Sequence, residues 1–213
     1  MMKSNFKSDR EPSANSKIVA LVLAGGKSSR MGRDKALLTI GNSTLLSHVC
    51  NVAQESVNCV YAIAPWVETY RSFVPSQVRL LSETITITDA ESNCPLIGFY
   101  QGLQQIKSDA GWILLLACDL PNIQVSTIKK WCEYLPQVTA EQIALVPRSS
   151  KGYDPLCGFY RSSCLPLLAQ YIAQGGRSFQ GWLNQHPVAE LPVSDRSVLF
   201  NCNTPQDWQE VNG

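Results

Sequence analysis

Two aliphatic runs restrict the folds that this chain can adopt more than any other feature of its sequence. Residues 18–24 (IVALVLA) and 112–118 (WILLLAC) contain no charged or amide side chain. Both are far shorter than the ~18 apolar residues that a membrane-spanning helix needs. A strand without polar alternation is buried on both faces, as in parallel sheets that helices cover on both sides. We therefore expect a core built around a parallel sheet.

Strand-like and helix-like segments alternate along the rest of the chain. Strands are predicted at residues 17–24, 57–64, 78–81, 111–121 and 142–147. Helices are predicted at residues 43–56, with Ser43 as N-cap, at 96–107, 125–135 and 161–174, and briefly after Trp66. The alternation in TITIT, residues 84–88, is typical of a small exposed strand. This order predicts an α/β fold with three αβα layers, Rossmann-like, around a mostly parallel sheet.

Length and composition favour one domain behind a short tail. Residues 1–16 are polar and are expected to be flexible, whereas residues 17–213 are expected to form a single domain, less regular from residue 149 onwards. A net charge of +1 gives no reason to expect a nucleic-acid or membrane partner. Eight cysteines without a C-x-x-C pair, and no signal peptide, favour a reduced, cytoplasmic protein without a zinc ribbon.

The segment after the first aliphatic run is rich in glycine and positive charge. Residues 21–38 read LVLAGGKSSRMGRDKALL. The phosphate loop of common NTPases requires a glycine five residues before Gly26, where this chain has Leu21. The dinucleotide fingerprint G-x-G-x-x-G fails as well, because Gly25 and Gly26 are adjacent and the next glycine is Gly32. A different kind of anion-binding turn is therefore expected.

The glycines and cations of this turn suit a nucleoside triphosphate. Gly25 and Gly26 can adopt positive φ and let backbone N–H groups approach a phosphate closely. Four cations within nine residues can neutralise its charge: Lys27, Arg30, Arg33 and Lys35. A solvated basic turn that needs glycine only for its geometry is the alternative.

Asp119 directly follows the second aliphatic run. A carboxylate at the end of a buried parallel strand faces the sheet edge where α/β proteins bind ligands. Mg²⁺ commonly takes one or two carboxylates together with phosphate oxygens and water. Asp119 is therefore the strongest candidate for a metal ligand, and the alternative is a capping aspartate before the next helix.

These motifs resemble those of one enzyme family. Residues 23–35 (LAGGKSSRMGRDK) are similar to the signature L-A-G-G-x-S-x-R-M-G-x-D-K of nucleotidyltransferases related to the molybdenum cofactor guanylyltransferases, the MobA family. Three further stretches resemble family motifs: CPLIGFYQGL at 94–103, LLACDLP at 115–121 and FNCNTPQDW at 200–208. The resemblance implies a nucleotide-diphospho-sugar transferase-like fold.

The resemblance also implies a reaction. GMP would pass from GTP to the phosphate of molybdopterin, or of its molybdenum form, with Mg²⁺ as cofactor, pyrophosphate as by-product and no covalent enzyme intermediate. Arg30 and Lys35 would stabilise charge on the reacting phosphates, and Asp119 would hold the metal. The nucleotide would contact Leu23, Ala24, Gly25, Gly26, Lys35 and Asp119. Transient contact with molybdopterin-carrying proteins or molybdoenzymes is a further expectation.

Two asparagines are candidates for binding the acceptor. Asn201 and Asn203 suit pterin or phosphate contacts, because an amide group both donates and accepts hydrogen bonds. A helix is predicted to start directly after them, with Thr204 as N-cap and Pro205 at the first helical position. The alternative for the two asparagines is a helix-capping turn without a ligand.

Two other stretches are weaker acceptor-side candidates. Arg177, in GGRS, could hold the acceptor phosphate, and an exposed arginine after a helix end is the alternative. Residues 152–161 (GYDPLCGFYR) match the family loosely, through Tyr153, Asp154 and Pro155.

The chain also departs from the family pattern. The family often carries an asparagine after the second strand, where this chain reads YAIAPW, and an aspartate after the third, where Glu83 and Asp89 are the nearest acids. Cys94 stands where glycine is usual. Two alternative functions stay open: a cytidylyl or sugar-phosphate nucleotidyltransferase, and a nucleotide-binding protein without turnover. The second glycine of LAGG favours the guanylyl branch, since related cytidylyl enzymes often read L-A-A-G.

Overall fold

The computed structural model of the protein describes residues 17–25, 34–84, 94–107 and 109–212. The predicted tail, residues 1–16, and most of the TITIT stretch lie outside these ranges. The strands are β1 (Ile18–Leu23), β2 (Thr39–Ile40), β3 (Ser43–Thr44), β4 (Cys59–Ala64), β5 (Arg79–Ser82), β6 (Trp112–Ala117), β7 (Ala144–Val146), β8 (Arg148–Ser149), β9 (Gly152–Tyr153), β10 (Cys157–Arg161) and β11 (Val188–Glu190). The helices are α1 (Leu45–Ser56), α2 (Val67–Tyr70), α3 (Pro95–Gln105), α4 (Val125–Cys132), α5 (Leu165–Ala173), α6 (Phe179–Leu183) and α7 (Pro205–Asn212), and 3₁₀ turns span Lys35–Leu37, Leu135–Gln137, Ser162–Cys164 and Arg196–Leu199.

Within the described residues, seven strands form one sheet in the order β11-β7-β10-β6-β1-β4-β5. Strand β10 runs antiparallel to β6 and β7, and the other neighbouring pairs are parallel. Buried apolar clusters cover both faces of the sheet. The predicted fold, a mostly parallel sheet between two helical layers, is confirmed. Among the described residues, no helix has the length and apolar character that crossing a bilayer requires.

The two aliphatic runs form neighbouring parallel strands at the centre of the sheet. Strands β1 and β6 pair in register from Ile18 opposite Trp112 to Leu23 opposite Ala117, and every residue of β6 is buried. The Cys118 N–H still donates to the Leu23 carbonyl at 3.1 Å. The chain segments that leave these two strands therefore begin side by side at the same edge of the sheet.

Strand β10 forms the second half of the stretch 152–161, for which no strand was predicted. Residues 157–161 insert between β6 and β7. At Gly158, an added Cβ would lie 2.7 Å from Val146 Cγ1 and 2.8 Å from the Leu145 carbonyl oxygen, so glycine is what allows β7 to approach. The helix predicted from Arg161 accordingly begins later, at Leu165, with Pro166 in its first turn.

Helix ends follow local capping chemistry, with one correction. The predicted N-cap of the first helix, Ser43, instead pairs with Ile40 in the β2–β3 hairpin. Thr44 is the cap, because its Oγ1 accepts from the Ser47 N–H at 3.2 Å. At the other end of the chain, α7 begins at Pro205 with Thr204 as its cap, as predicted, since Thr204 Oγ1 accepts from the Asp207 N–H at 3.2 Å.

Candidate active site

A cavity of about 490 Å³ opens where β1 and β6 end. It collects most of the predicted site residues. Those that line it are Leu23, Ala24, Gly25, Lys35, Asp119, Asn201 and Asn203. Gly26 and Arg30 lie outside the described residues, and their predicted roles stay predictions.

Three polar side chains meet at the centre of this cavity. Lys35 Nζ donates to Asp119 Oδ2 at 3.0 Å and to Asn203 Oδ1 at 2.7 Å. The Lys35–Asp119 ion pair is partly buried, with side-chain exposures of 24% and 12%. Sequence motifs from the start, middle and end of the chain therefore converge on one ammonium group.

Asp119 has an oxygen that can accept a cation. Its Oδ2 accepts from Lys35, but its buried Oδ1 has no hydrogen-bond partner among the described residues. Buried carboxylate oxygens are rarely left unpaired, so this atom fits a metal ion or a ligand donor. No cluster of three or more His, Cys, Asp or Glu side chains within the described ranges could hold a metal. An ion here would take its other ligands from phosphate and water, as Mg²⁺ commonly does.

Gly25 forms the wall of the cavity beside β4. Its φ is +112°, and an added Cβ would lie 2.6 Å from Pro65 Cδ. Both facts require glycine at this position. The Ala24 N–H donates to the Ile63 carbonyl at 2.9 Å, so the start of the turn is still hydrogen-bonded to β4. The result is a wall of exposed backbone that a ligand can approach closely.

Glu83 lies in the same cavity, directly after β5. Its backbone N–H donates to the Ala64 carbonyl at 2.9 Å, and its carboxylate faces Gly98, where an added Cβ would lie 3.4 Å from Glu83 Oε1. Burial raises the pKa of the Glu83 carboxyl above its ordinary value. Of the two acids considered after the third strand, Glu83 lines the cavity, and Asp89 lies outside the described residues.

Asp34 lines the cavity next to Lys35, and the buried Tyr70 holds it through a hydrogen bond. The Tyr70 hydroxyl donates to Asp34 Oδ2 at 2.5 Å, and Asp34 Oδ1 accepts from the Ala36 N–H at 3.0 Å. Asp34 stands inside the predicted motif, but no sequence pattern indicates Tyr70, because a single tyrosine in VETYRSF matches no motif.

The weaker acceptor candidates lie elsewhere. Arg177 Nη1 donates to the carbonyl oxygens of Ile172 and Gly176 at 2.9 and 2.8 Å, which closes the end of α5, and Arg177 does not line the cavity. Asp154 Oδ2 pairs with Arg196 Nη2 at 2.8 Å. The structure therefore does not bring Arg177 to the other candidates, and its acceptor role stays a prediction.

The cysteine in the cavity is a poor nucleophile. All eight cysteines are free thiols, and Cys118 lines the cavity next to Asp119. Burial, and then the Asp119 charge, raise the pKa of the Cys118 thiol far above its ordinary value. Since the thiolate is the reactive form, this side chain serves as a small apolar wall.

Comparisons with known proteins agree on one family. The family described as MobA-like NTP transferase domain matches residues 20–189. A protein from a Nostoc species, named probable molybdenum cofactor guanylyltransferase, is 47% identical over 196 residues, covering 92% of this chain and 91% of the relative. A protein of the same name from Synechococcus elongatus is 41% identical over 192 residues, covering 90% and 96%.

Solved structures share the fold. The molybdopterin-guanine dinucleotide biosynthesis protein A of Archaeoglobus fulgidus superposes with a TM-score of 0.72 at 20% identity, covering 91% of this chain and 96% of that one. At this identity the likeness shows the fold alone, and the family rests on the sequence matches. The chain belongs to the MobA-like NTP transferase family and is a nucleotidyltransferase.

Proposed function

We propose that this protein transfers GMP from GTP to the phosphate of molybdopterin, or of its molybdenum form, and so makes molybdopterin guanine dinucleotide and pyrophosphate. The names of the relatives support this reaction. The observation that carries it is the meeting of Lys35, Asp119 and Asn203 in one cavity, at 3.0 and 2.7 Å, beside the backbone wall of Gly25. A cation, a carboxylate and exposed backbone are the groups that hold a triphosphate.

In this reaction an oxygen of the acceptor phosphate attacks the α-phosphorus in line, and the bond to the bridging oxygen breaks to release pyrophosphate. Lys35 stabilises the charge that moves onto the phosphate oxygens. Asp119 would hold Mg²⁺ through Oδ1, and the ion, when bound, neutralises charge on the triphosphate. Asp119 also keeps the Lys35 ammonium at the centre of the site through Oδ2.

Glu83 is suited to recognise guanine. The two oxygens of a carboxylate can accept from N1–H and from the N2 amino group together, whereas cytosine offers only one amino group on its pairing edge. Glu83 follows β5 and Asp119 follows β6, which are three strand spacings apart in the sheet, roughly 14 Å. The base can therefore lie near β5 while the phosphates lie near β6, and this geometry favours the guanylyl over the cytidylyl reaction.

Acceptor contacts are best assigned to Asn201 and Asn203. Both line the cavity, and Asn203 already contacts Lys35. The product is a cofactor for other enzymes, so transient contact with a molybdopterin-carrying protein or a molybdoenzyme fits this function. Eight free thiols fit a reducing compartment, and we propose that the enzyme acts in the cytoplasm.

A panel of nucleotides tests the proposal. Purified protein is incubated with Mg²⁺, molybdopterin and GTP, CTP, ATP or UTP in turn, and pyrophosphate and the dinucleotide product are measured. We expect product with GTP. Product with CTP alone would overturn the guanylyl assignment, and no product with any nucleotide, given a competent acceptor, would favour a nucleotide-binding protein without turnover.

A further inference from the structure

Tyr70 has a buried hydroxyl that the proposed reaction does not use directly. It ends α2, its side chain is fully buried, and its hydroxyl donates to Asp34 Oδ2 at 2.5 Å. Burial, and then the Asp34 carboxylate, raise the pKa of the Tyr70 hydroxyl far above its ordinary value. The hydroxyl therefore stays protonated, and stays a donor, at any pH at which the enzyme works.

Asp34, which Tyr70 holds by this hydrogen bond, in turn fixes the backbone next to Lys35. Its Oδ1 accepts from the Ala36 N–H at 3.0 Å, and its carbonyl oxygen accepts from the Leu37 N–H at 3.2 Å. Ala36 is buried, which anchors the turn in the core. Since both carboxylate oxygens of Asp34 accept hydrogen bonds, one from Tyr70 and one from the Ala36 N–H, this side chain acts as a bracket that fixes the backbone of the turn.

The bracket matters because lysine is a long and flexible side chain. Ordering such a chain costs conformational entropy, and a mobile backbone would add to that cost. With residues 34 and 36 fixed, Lys35 reaches Asp119 Oδ2 and Asn203 Oδ1 from one defined position. Misplacing a charged group by even about 1 Å can cost a large factor in rate.

We propose that Tyr70 is a positioning residue for nucleotidyl transfer, acting through Asp34 on Lys35. The inference rests on the proposed function for its role in turnover, and it extends to nucleotide binding. The segment that carries Tyr70 begins at Pro65, whose ring packs against Gly25. One short stretch of chain, residues 65–70, thus supports both the glycine wall and the lysine.

A double-mutant cycle tests the proposal. Tyr70→Phe removes the hydroxyl and keeps the ring, and it is made alone and together with Lys35→Ala. We expect Tyr70→Phe alone to lower turnover by roughly tenfold and to weaken GTP binding, because Lys35 loses its defined position. In the Lys35→Ala background it should change neither quantity by more than about twofold, because no lysine is left to position. Thermal unfolding is measured for all four proteins, and its change on Tyr70→Phe should be the same in both backgrounds.

Two further variants make the result specific. Tyr61→Phe removes another hydroxyl at a buried ring, one that accepts from Arg79 Nη1 at 3.0 Å, and should leave turnover and GTP binding unchanged. Asp34→Asn should depend on Lys35 as Tyr70→Phe does. Equal losses from Tyr70→Phe in both backgrounds, or no loss in either, would overturn the proposal.

Failure of the wider function would look different. If the wild-type chain makes no dinucleotide but Tyr70→Phe still weakens GTP binding only when Lys35 is present, the proposed acceptor reaction is wrong and the positioning role stands. If the wild-type chain is active and the cycle shows no dependence on Lys35, the positioning role alone is wrong.

Discussion

At the scale of single residues, Asp119 carries three separate tasks on different atoms. Its Oδ2 holds the Lys35 ammonium, its Oδ1 is open to a cation, and its backbone carbonyl accepts from the Cys202 N–H at 3.0 Å. The first two depend on charge, and the third does not. Neutralising the Asp119 side chain should therefore reduce catalysis without breaking the backbone hydrogen bond to Cys202.

Asp119→Asn should reduce turnover by roughly 10²- to 10³-fold, the usual cost of removing one charged group that stabilises a transition state. Pyrophosphate release under saturating substrates measures the effect, and the melting temperature should stay close to that of the wild type. Asp109→Asn is the matched control, because Asp109 forms an exposed pair with Lys17 far from the cavity motifs. Activity of Asp119→Asn within twofold of the wild type would contradict the assigned role.

Glu83 should give GTP binding a pH dependence. The proposed recognition of guanine by Glu83 needs the ionised carboxylate, and burial raises the pKa of Glu83 above its ordinary value. Affinity should therefore be full above that raised pKa and fall as pH decreases through it, at a less acidic pH than an ordinary glutamate would require. GTP affinity measured from neutral to acidic pH tests this expectation.

Glu83→Gln is the matched control for that titration, because it keeps the shape and cannot ionise. It should bind GTP weakly and lose this component of the pH dependence. It should also discriminate less between GTP and ITP, which lacks the N2 amino group. Unchanged discrimination would mean that another group recognises the base.

At the scale of elements, the role of the turn after β1 in nucleotide binding can be tested by comparing alanine substitutions at two glycines. Gly25 has φ +112° and contacts Pro65, whereas Gly41 has φ +55° and open space around its Cα. Either Gly→Ala change should cost about 1–3 kcal/mol of folding free energy through backbone strain. Only Gly25→Ala should also abolish GTP binding, because the added Cβ would clash with Pro65 and displace the backbone wall at residue 25. Equal binding by both variants would show that the ligand does not use this turn.

The elements also show which parts of the fold a sequence can reveal. Strands β1 and β6 were predictable because both faces are buried and no polar residue interrupts them. Strand β10 was not, since CGFYR is short, contains glycine and follows two turns, and its place in the sheet depends on a close approach of β7 at Gly158. Because this close approach involves a strand that is distant in the chain, the sequence around residues 157–161 shows no local pattern that would indicate it.

At the scale of the whole molecule, the site joins positions that are remote in the chain. Lys35 is 84 residues from Asp119 and 168 from Asn203. Their convergence could be predicted because each lies in a recognisable motif. The contact between Tyr70 and Asp34 could not be predicted, because it depends on how α2 packs. The position of Arg177 outside the cavity could not be predicted either, because its guanidinium group forms local hydrogen bonds at the end of a helix.

The bond between the Cys202 N–H and the Asp119 carbonyl has a consequence for how the enzyme becomes active during synthesis. When translation has reached Leu199, the ribosome has already made the glycine wall, Glu83 and both members of the central ion pair. Asn203 and the Cys202 N–H that donates to the Asp119 carbonyl are still missing. The proposed acceptor contacts, Asn201 and Asn203, are thus the last part of the site to be synthesised.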